Sequence, residues 1–161
     1  MPGAIEVEIV DYSADYGDAF ERLNSEWLDK YFRIEPIDRE VLSNPQTSII
    51  DHGGVILYQV TRGEAVGTVA LKHHGRGIFE LTKMAVTSTH QGKGYGQQLL
   101  SAAIARFLDL EGDLLYLESH SSLTVALALY ESAGFRHQPR PRPSDYERSD
   151  VYMVYHGNQA P

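Results

Sequence analysis

The stretch FELTKMAVTSTHQGKGYGQQLL, residues 79–100, decides the fold of this chain. It begins with the alternating apolar residues of a β-strand and passes through the polar turn 87–90. A loop follows with glycine at positions 92, 94 and 96, and Leu99 and Leu100 then start an apolar stripe at helical spacing. The sequence therefore predicts a strand, a glycine-rich loop and a helix in immediate succession.

A glycine-rich loop that leads into a helix is suited to binding phosphate. Gly92, Gly94 and Gly96 leave the backbone N–H groups uncovered by Cβ atoms and permit positive φ. The helix adds unpaired N–H groups and the positive end of its dipole. We therefore predict a phosphate or pyrophosphate site, with the side chains of Gln91 and Lys93 as further donors. The alternative is a tight turn that binds nothing.

Two common phosphate motifs do not fit this loop. A P-loop requires Ser or Thr after its Gly-Lys pair, whereas Gly94 follows Gly92-Lys93. A dinucleotide fingerprint that begins at Gly92 would need glycine where Gln97 stands. The pattern that remains is Q-x-x-G-x-G, from Gln91 to Gly96.

Composition limits the possible classes of protein. The length of 161 residues predicts a single domain, residues 1–161, with a substantial core. The net charge of −8 argues against a nucleic-acid-binding face and is compatible with an amine substrate. The absence of cysteine excludes a thiol nucleophile. Neither a signal peptide nor an apolar membrane span is visible, which favours a cytoplasmic protein.

A metal site is not expected. The seven histidines lack the spacing of a ligand set, and the adjacent His73 and His74 should point to opposite faces of a strand.

Periodicity and turn residues predict the remaining elements. Gly134 should end the last helix, Ser121 or Ser122 should cap its start, and the proline-rich segment 139–143 should be a rigid connector. The strand after the long helix should run parallel to the strand before it. Strands are predicted over 5–10, 55–61, 65–71, 78–86, 114–118, 135–137 and 150–156, and helices over 15–32, 38–42, 95–110 and 123–132.

A second motif is ALALYESAGF, residues 126–135. On its own it is a helix with a C-terminal glycine. Together with the Q-x-x-G-x-G loop it resembles the L-Y-x-x-x-G-F signature of the GCN5-related N-acetyltransferase (GNAT) family, and the resemblance extends over residues 63–136.

The resemblance implies an α/β fold: a mixed, mostly antiparallel sheet that splays at one parallel strand pair and is flanked by helices. It also implies that acetyl-CoA binds in this opening, with its pyrophosphate on the loop amides. The residues implied to contact acetyl-CoA are Met84, Ala85, Val86, Gln91, Gly92, Lys93, Gly94, Tyr95, Gly96, Gln97 and Ser122.

Acetyl transfer to an amine requires a base, a donor to the carbonyl oxygen and an acid for the departing thiolate. In part of the family a glutamate that matches Glu80 is the base. With a regular pleat, Glu80 shares a strand face with Met84 and Val86. The competing interpretation is a structural acid paired with Lys83, Arg76 or Lys72.

The same resemblance assigns two further roles. Backbone N–H groups of the strand before the loop, at residues 84–86, should stabilise the carbonyl oxygen. The candidate acid is Tyr130, although an aromatic residue at this position is equally suited to packing.

One position departs from the family. Leu123 stands where many members carry an asparagine that bonds to the pantetheine arm, so this contact is absent or comes from His120, Ser121 or Ser122.

We expect an acetyl-CoA-dependent N-acetyltransferase that acts on a small primary amine by direct transfer in a ternary complex. The alternatives are acetylation of a protein lysine or N-terminus, and a non-catalytic coenzyme A-binding module. Pairing through the C-terminal strand is a possible route to a homodimer.

Overall fold

The fold of this chain is built on one seven-stranded sheet, described over residues 6–157 in a computed structural model. The strands are β1 (Val7–Asp11), β2 (Val55–Thr61), β3 (Glu64–His73), β4 (Ile78–Val86), β5 (Leu114–Ser119), β6 (Phe135–His137) and β7 (Val151–Tyr155). The helices are α1 (Ala19–Tyr31), α2 (Pro36–Ser43), α3 (Pro45–Ser48), α4 (Tyr95–Asp109) and α5 (Thr124–Ala133). Short 3-10 helices cover Ala14–Tyr16, Ile50–His52 and Ser88–His90.

The predicted fold class is confirmed. The strand order is β1-β2-β3-β4-β5-β7-β6, and β4 with β5 is the parallel pair in an otherwise antiparallel sheet. Their pairing ends at Glu80 opposite Tyr116, although β4 continues to Val86 and β5 to Ser119. The two strands therefore separate beyond Glu80, and the sheet opens between them as the resemblance implied.

Helices cover both faces of the sheet. On one face the stripe of α4 packs against the sheet, with Leu99, Leu100 and Phe107 at 5% exposure or less. On the other face α1 and α2 bury Phe20 and Leu42 in a second cluster. Across residues 6–157, every helix is too short or too polar to cross a lipid bilayer.

Two predictions about helix ends differ from the structure. The helix predicted over 15–32 is split, because Gly17 at φ 57 separates a 3-10 turn from α1. Neither serine caps α5: Ser121 bonds to Asp150 and Ser122 bonds to His120, and Leu123 occupies the cap position. The start of the strand predicted over 5–10 lies partly outside the described residues.

A β-bulge interrupts β4 beside the opening. Thr68 pairs with Ala85 and Ala70 with Thr82, so β4 carries one extra residue between these two pairs. Lys83 lies in the bulge at φ 55, a left-handed conformation that costs a non-glycine residue about 1 kcal/mol or more.

The bulge changes which side chains share a face of β4. Met84 and Val86 pack against the cluster that contains Phe79 and Leu81. The expectation that they share a face with Glu80 is wrong, because it assumed a regular pleat. The extra residue at Lys83 reverses the alternation.

Gly134 ends α5 as predicted, and its conformation generates a stability prediction. It lies at φ 109, and a Cβ atom there would meet the Gly157 carbonyl oxygen at 2.8 Å. We expect Gly134→Ala to lower the free energy of unfolding by about 2–3 kcal/mol in urea titrations.

The matched control is Gly63→Ala in the β2–β3 turn. Gly63 also has positive φ (+78), but no atom lies within 4 Å of an added Cβ. This substitution should therefore lower the free energy of unfolding by only about 1 kcal/mol. Equal losses in the two variants would contradict the role assigned to the Gly157 contact.

Candidate active site

The glycine loop presents an array of free backbone donors. Gly92 and Gly94 lie at φ 76 and 85, and no atom lies within 4 Å of a Cβ added at either position. Gly96 is already in the first turn of α4, where an added Cβ would lie 3.6 Å from Leu129. Within residues 6–157, no backbone hydrogen bond occupies the N–H groups of residues 92–97. Such an array at a helix N-terminus suits an anion.

The Gln91 side chain has a structural partner. Its Nε2 donates to the Val86 carbonyl oxygen at 2.9 Å and fixes the loop to the end of β4. One of its two Nε2 hydrogens is therefore engaged within the fold, and its role as a phosphate donor stays a prediction. The exposed side chains of Lys93 and Gln97 lie outside the cavity that the other predicted residues line.

A cavity extends from this loop along the edge of β4, and we call it the loop cavity. Its walls include Trp27 and Tyr31 of α1 and Leu129 of α5. It also brings together nine predicted residues: Met84, Ala85, Val86, Gln91, Gly92, Gly94, Tyr95, Gly96 and Ser122. Their role in binding acetyl-CoA remains a prediction.

A second cavity, the junction cavity, lies where β4 and β5 separate. It shares Trp27, Met84, Leu123 and Tyr130 with the loop cavity, and Glu80 also lines it. The structure thus gathers both predicted catalytic side chains around one space.

Tyr130 retains its proton at neutral pH. Burial raises the pKa of its phenol to about 12. Its ring packs edge-on against Phe135 with centroids 6.1 Å apart. Its hydroxyl has no hydrogen-bond partner among residues 6–157. A protonated, unengaged phenol beside Met84 is suited to donating a proton.

Glu80 is buried and has a polar partner that the sequence did not reveal. Its side chain is 9% exposed, and its Oε1 lies 2.9 Å from His74 Nε2 and 3.4 Å from the Tyr116 hydroxyl. The pairing with Lys83, Arg76 or Lys72 that the competing interpretation offered is not the one that the structure shows. Lys83 bonds instead to Asp38 at 2.6 Å.

Sequence reasoning also missed a buried ion network beside the junction cavity. Asp38 accepts hydrogen bonds from Lys83 Nζ at 2.6 Å and from both terminal nitrogens of Arg148 at 2.7 Å. Glu35 accepts a further bond from Arg148 at 3.0 Å. The Tyr146 ring lies against both cations. Its centroid is 4.6 Å from Lys83 Nζ and 4.7 Å from the central carbon of the Arg148 guanidinium.

The network holds two charges of each sign, and the carboxylate at its centre stays ionised. Burial alone would raise the pKa of Asp38. The hydrogen bonds and positive charge of Arg148 and Lys83 outweigh burial and lower this pKa to about 2. The acids 35 and 38 were visible in the sequence, but their partner Arg148 lies about 110 positions away.

The same network fixes residues 138–150, which we call the strap. Glu35 accepts the Glu147 backbone N–H at 2.9 Å, and Arg140 donates to Glu118 at 2.6 Å. The proline-rich part of the strap is the predicted connector between β6 and β7. It also roofs a further cavity, which the sequence did not predict.

This strap cavity continues from the junction cavity. The two share Glu80, Glu118 and Tyr146, and Tyr116 and Tyr152 form the wall of the strap cavity beside β5 and β7. The three cavities are therefore neighbours: Tyr130 lies between the loop cavity and the junction cavity, and Glu80 lies between the junction cavity and the strap cavity. Among the described residues, no group of three His, Asp or Glu side chains has a geometry that suits a metal ion.

Comparison with known proteins identifies the family. The model of the acetyltransferase (GNAT) family matches residues 13–135. This chain therefore belongs to the GNAT acetyltransferase family.

Two proteins resemble part of this chain in sequence. A 90-residue stretch is 33% identical to an uncharacterized protein of Mycobacterium leprae, and it covers 55% of this chain but only about a quarter (24%) of that protein. The N-acetyltransferase YvbK of Bacillus subtilis, named as uncharacterized, is 29% identical over 107 residues, which is 65% of this chain and 69% of YvbK.

Solved structures share the fold. A GNAT-family acetyltransferase from Staphylococcus aureus Mu50 superposes with a TM-score of 0.84 at 20% identity, over 93% of this chain and 98% of that one. The PaiA N-acetyltransferase from Thermoplasma acidophilum, solved in complex with coenzyme A, gives a TM-score of 0.74 at 18% identity, over 94% and 99%. At these identities the similarity shows the fold.

The ion network generates a prediction about acid sensitivity. At pH 7, Asp38→Asn leaves the buried Lys83 and the partly buried Arg148 without their shared carboxylate. We therefore expect the free energy of unfolding in urea to fall by about 3–5 kcal/mol. The pKa of Asp38 in the folded protein, about 2, lies below its ordinary value of 3.8. The stabilisation by the Asp38 carboxylate is therefore complete above pH 3.8 and is lost as the pH falls through 2. The difference between wild type and variant should therefore shrink at pH values approaching 2.

The control is Asp11→Asn, which removes a pair with Arg106 whose carboxylate side is 65% exposed. It should cost less than about 1 kcal/mol at pH 7. A loss for Asp38→Asn no larger than that of the control would refute the importance of the buried network.

Proposed function

We propose that this chain is an N-acetyltransferase that moves the acetyl group of acetyl-CoA to a primary amine of a small molecule, by direct transfer in a ternary complex. The observation that carries the proposal is the series of adjacent cavities, in which Tyr130 and Glu80 line the cavity next to the one at the free loop amides. Membership of the GNAT acetyltransferase family supports it.

The loop cavity has the features needed for coenzyme A. Gly92 and Gly94 leave room for phosphate oxygens, and residues 92–97 offer unpaired N–H donors. Beyond Glu80, the β4 edge no longer pairs with β5, so its backbone is free to pair with an extended pantetheine arm. The coenzyme A complex of the Thermoplasma protein with the same fold is consistent with this assignment.

Glu80 and Tyr130 supply the proton transfers. Glu80 accepts the proton that the acceptor ammonium loses, directly or through water. The amine nitrogen then bonds to the acetyl carbon as the carbon–sulfur bond breaks. Tyr130 gives its phenolic proton to the departing thiolate. The acetylated nitrogen then loses its second proton to solvent, and solvent returns one proton to the Tyr130 phenolate. Direct attack fits a chain without cysteine.

The acceptor site favours a small amine over a protein side chain. The strap forms one wall of the strap cavity and is fixed by Arg140 and Arg148, so the space is bounded by the strap as well as by the sheet. The carboxylates of Glu80 and Glu118 line both acceptor-side cavities and suit a cationic ligand.

Substitution in the loop tests donor binding. Gly94→Ala places a Cβ atom over the amide array at φ 85, so we expect the affinity for coenzyme A to fall at least about tenfold, or 1.4 kcal/mol. The measurement is the rise in melting temperature with coenzyme A concentration. Gly63→Ala is the control, because it introduces similar strain in a turn without atoms within 4 Å of the added Cβ. Equal ligand-induced stabilisation in both variants would count against the loop as the phosphate site.

Turnover tests the chemistry. A panel of small amines is screened with acetyl-CoA by release of free thiol. On the best amine, we expect Tyr130→Phe and Glu80→Gln to lower kcat about 100-fold, within the usual range for removal of an acid or base. The stabilisation by coenzyme A should persist in both variants.

Two outcomes would contradict the proposed function. Stabilisation by coenzyme A without thiol release from any amine would favour a non-catalytic binding module. Unchanged kcat in both variants would remove Glu80 and Tyr130 from the mechanism.

A further inference from the structure

A histidine, a glutamate and a tyrosine meet where β3, β4 and β5 adjoin. His74 Nε2 lies 2.9 Å from Glu80 Oε1 and 3.1 Å from the Tyr116 hydroxyl. The Glu80 side chain is 9% exposed, whereas that of His74 is 25% exposed and lines the strap cavity. Both side chains line the strap cavity, and the imidazole is the more exposed of the two.

Every acetyl transfer would leave a proton on Glu80, and this proton must leave before the next turnover. His74 and Tyr116 are the side chains that contact the Glu80 carboxylate among residues 6–157. Burial, reinforced by the negative charge of Glu80, raises the pKa of the Tyr116 phenol, which keeps its proton at neutral pH. Tyr116 is therefore unsuited to accept the proton, whereas an imidazole is suited to do so.

We propose that His74 is the proton outlet of the acceptor site and passes each proton from Glu80 to solvent under the strap. This inference rests on the proposed function, since amine acetylation is what loads Glu80 with a proton. His74 contacts Glu80 and not the acceptor, so it acts through the carboxylate.

The transfer balances without an additional reactant. The proton that the acceptor ammonium gives to Glu80 Oε1 passes to His74 Nε2 over the 2.9 Å contact. The imidazolium then releases its Nδ1 proton to solvent and leaves Nε2–H donating to the Glu80 carboxylate. Nδ1 has no hydrogen-bond partner in the described part of the chain, and exchange with water resets the tautomer. No bond between heavy atoms changes.

The surroundings of the imidazole carry charges of both signs. The strap and the neighbouring strands place two basic side chains, three acidic side chains including Glu80, and three tyrosines around the cavity. The ionisable groups other than Glu80 and Tyr116 are Lys72, Glu118, Arg142, Asp145, Tyr146 and Tyr152.

The test compares two adjacent histidines. His74→Gln keeps a polar amide beside Glu80 but cannot carry a proton. His73→Gln is the matched control, because His73 stacks on Phe79 and bonds to the His52 carbonyl oxygen, outside the strap cavity. The acetylation of the best amine is measured in dilute buffer and with added imidazole.

We expect kcat of His74→Gln to fall about tenfold or more in dilute buffer, with KM unchanged, and to recover as imidazole is added. Wild type and His73→Gln should not respond to imidazole. Recovery by a diffusible proton carrier is a readout that a purely structural defect would not produce. Thermal melting of both variants checks that the fold is intact.

Two outcomes would overturn the role of His74 as the proton outlet. One is a kcat of His74→Gln that equals wild type, or that falls without recovery in imidazole. The other is imidazole dependence in Tyr116→Phe but not in His74→Gln, which would place the proton path through the phenol. If wild type acetylates no amine at all, the proposed function falls together with the outlet. If wild type acetylates amines and either of the two outcomes above is found, only the outlet falls.

Discussion

The separation of β4 from β5 beyond Glu80 is the constraint on which the rest of this structure depends. Parallel strands that stay paired would leave no space between them, whereas these two end their pairing at Glu80 and Tyr116. The backbone freed along β4 borders the loop cavity, and the gap itself becomes the junction cavity. The glycine loop then places its amides at the far end of the same strand.

Ion pairs attach the strap to the rest of the fold. The strap has no regular secondary structure and is attached to α2 and β5 through Arg148 and Arg140. A buried ion pair contributes little net stability compared with an apolar pair of the same shape, but it tolerates loss of one partner poorly. The network around Asp38 is therefore best understood as a device that fixes geometry. It sets the position of the roof above Glu80.

The sequence predicted the sheet, the glycine loop and the cavity walls near it, because these depend on local periodicity and glycine placement. It also placed Glu80 and Tyr130 correctly on their elements. The sequence did not reveal the bulge at Lys83, because a bulge is defined by the register with the neighbouring strand. The faces of β4 predicted for the residues after Lys83 were therefore wrong. The sequence failed again at Arg148 and His74, whose partners are set by the fold and not by chain proximity.

Lys83 has a consequence that extends beyond its ion pair. Its backbone forms the bulge that orients Met84 beside the loop cavity, and its side chain anchors Asp38 and Tyr146 on the acceptor side. One residue thus links the edge of β4 beside the loop cavity to the ion network beside the junction cavity. A substitution at this position therefore acts on two neighbouring cavities at once, through the backbone of one and the ion pairs of the other.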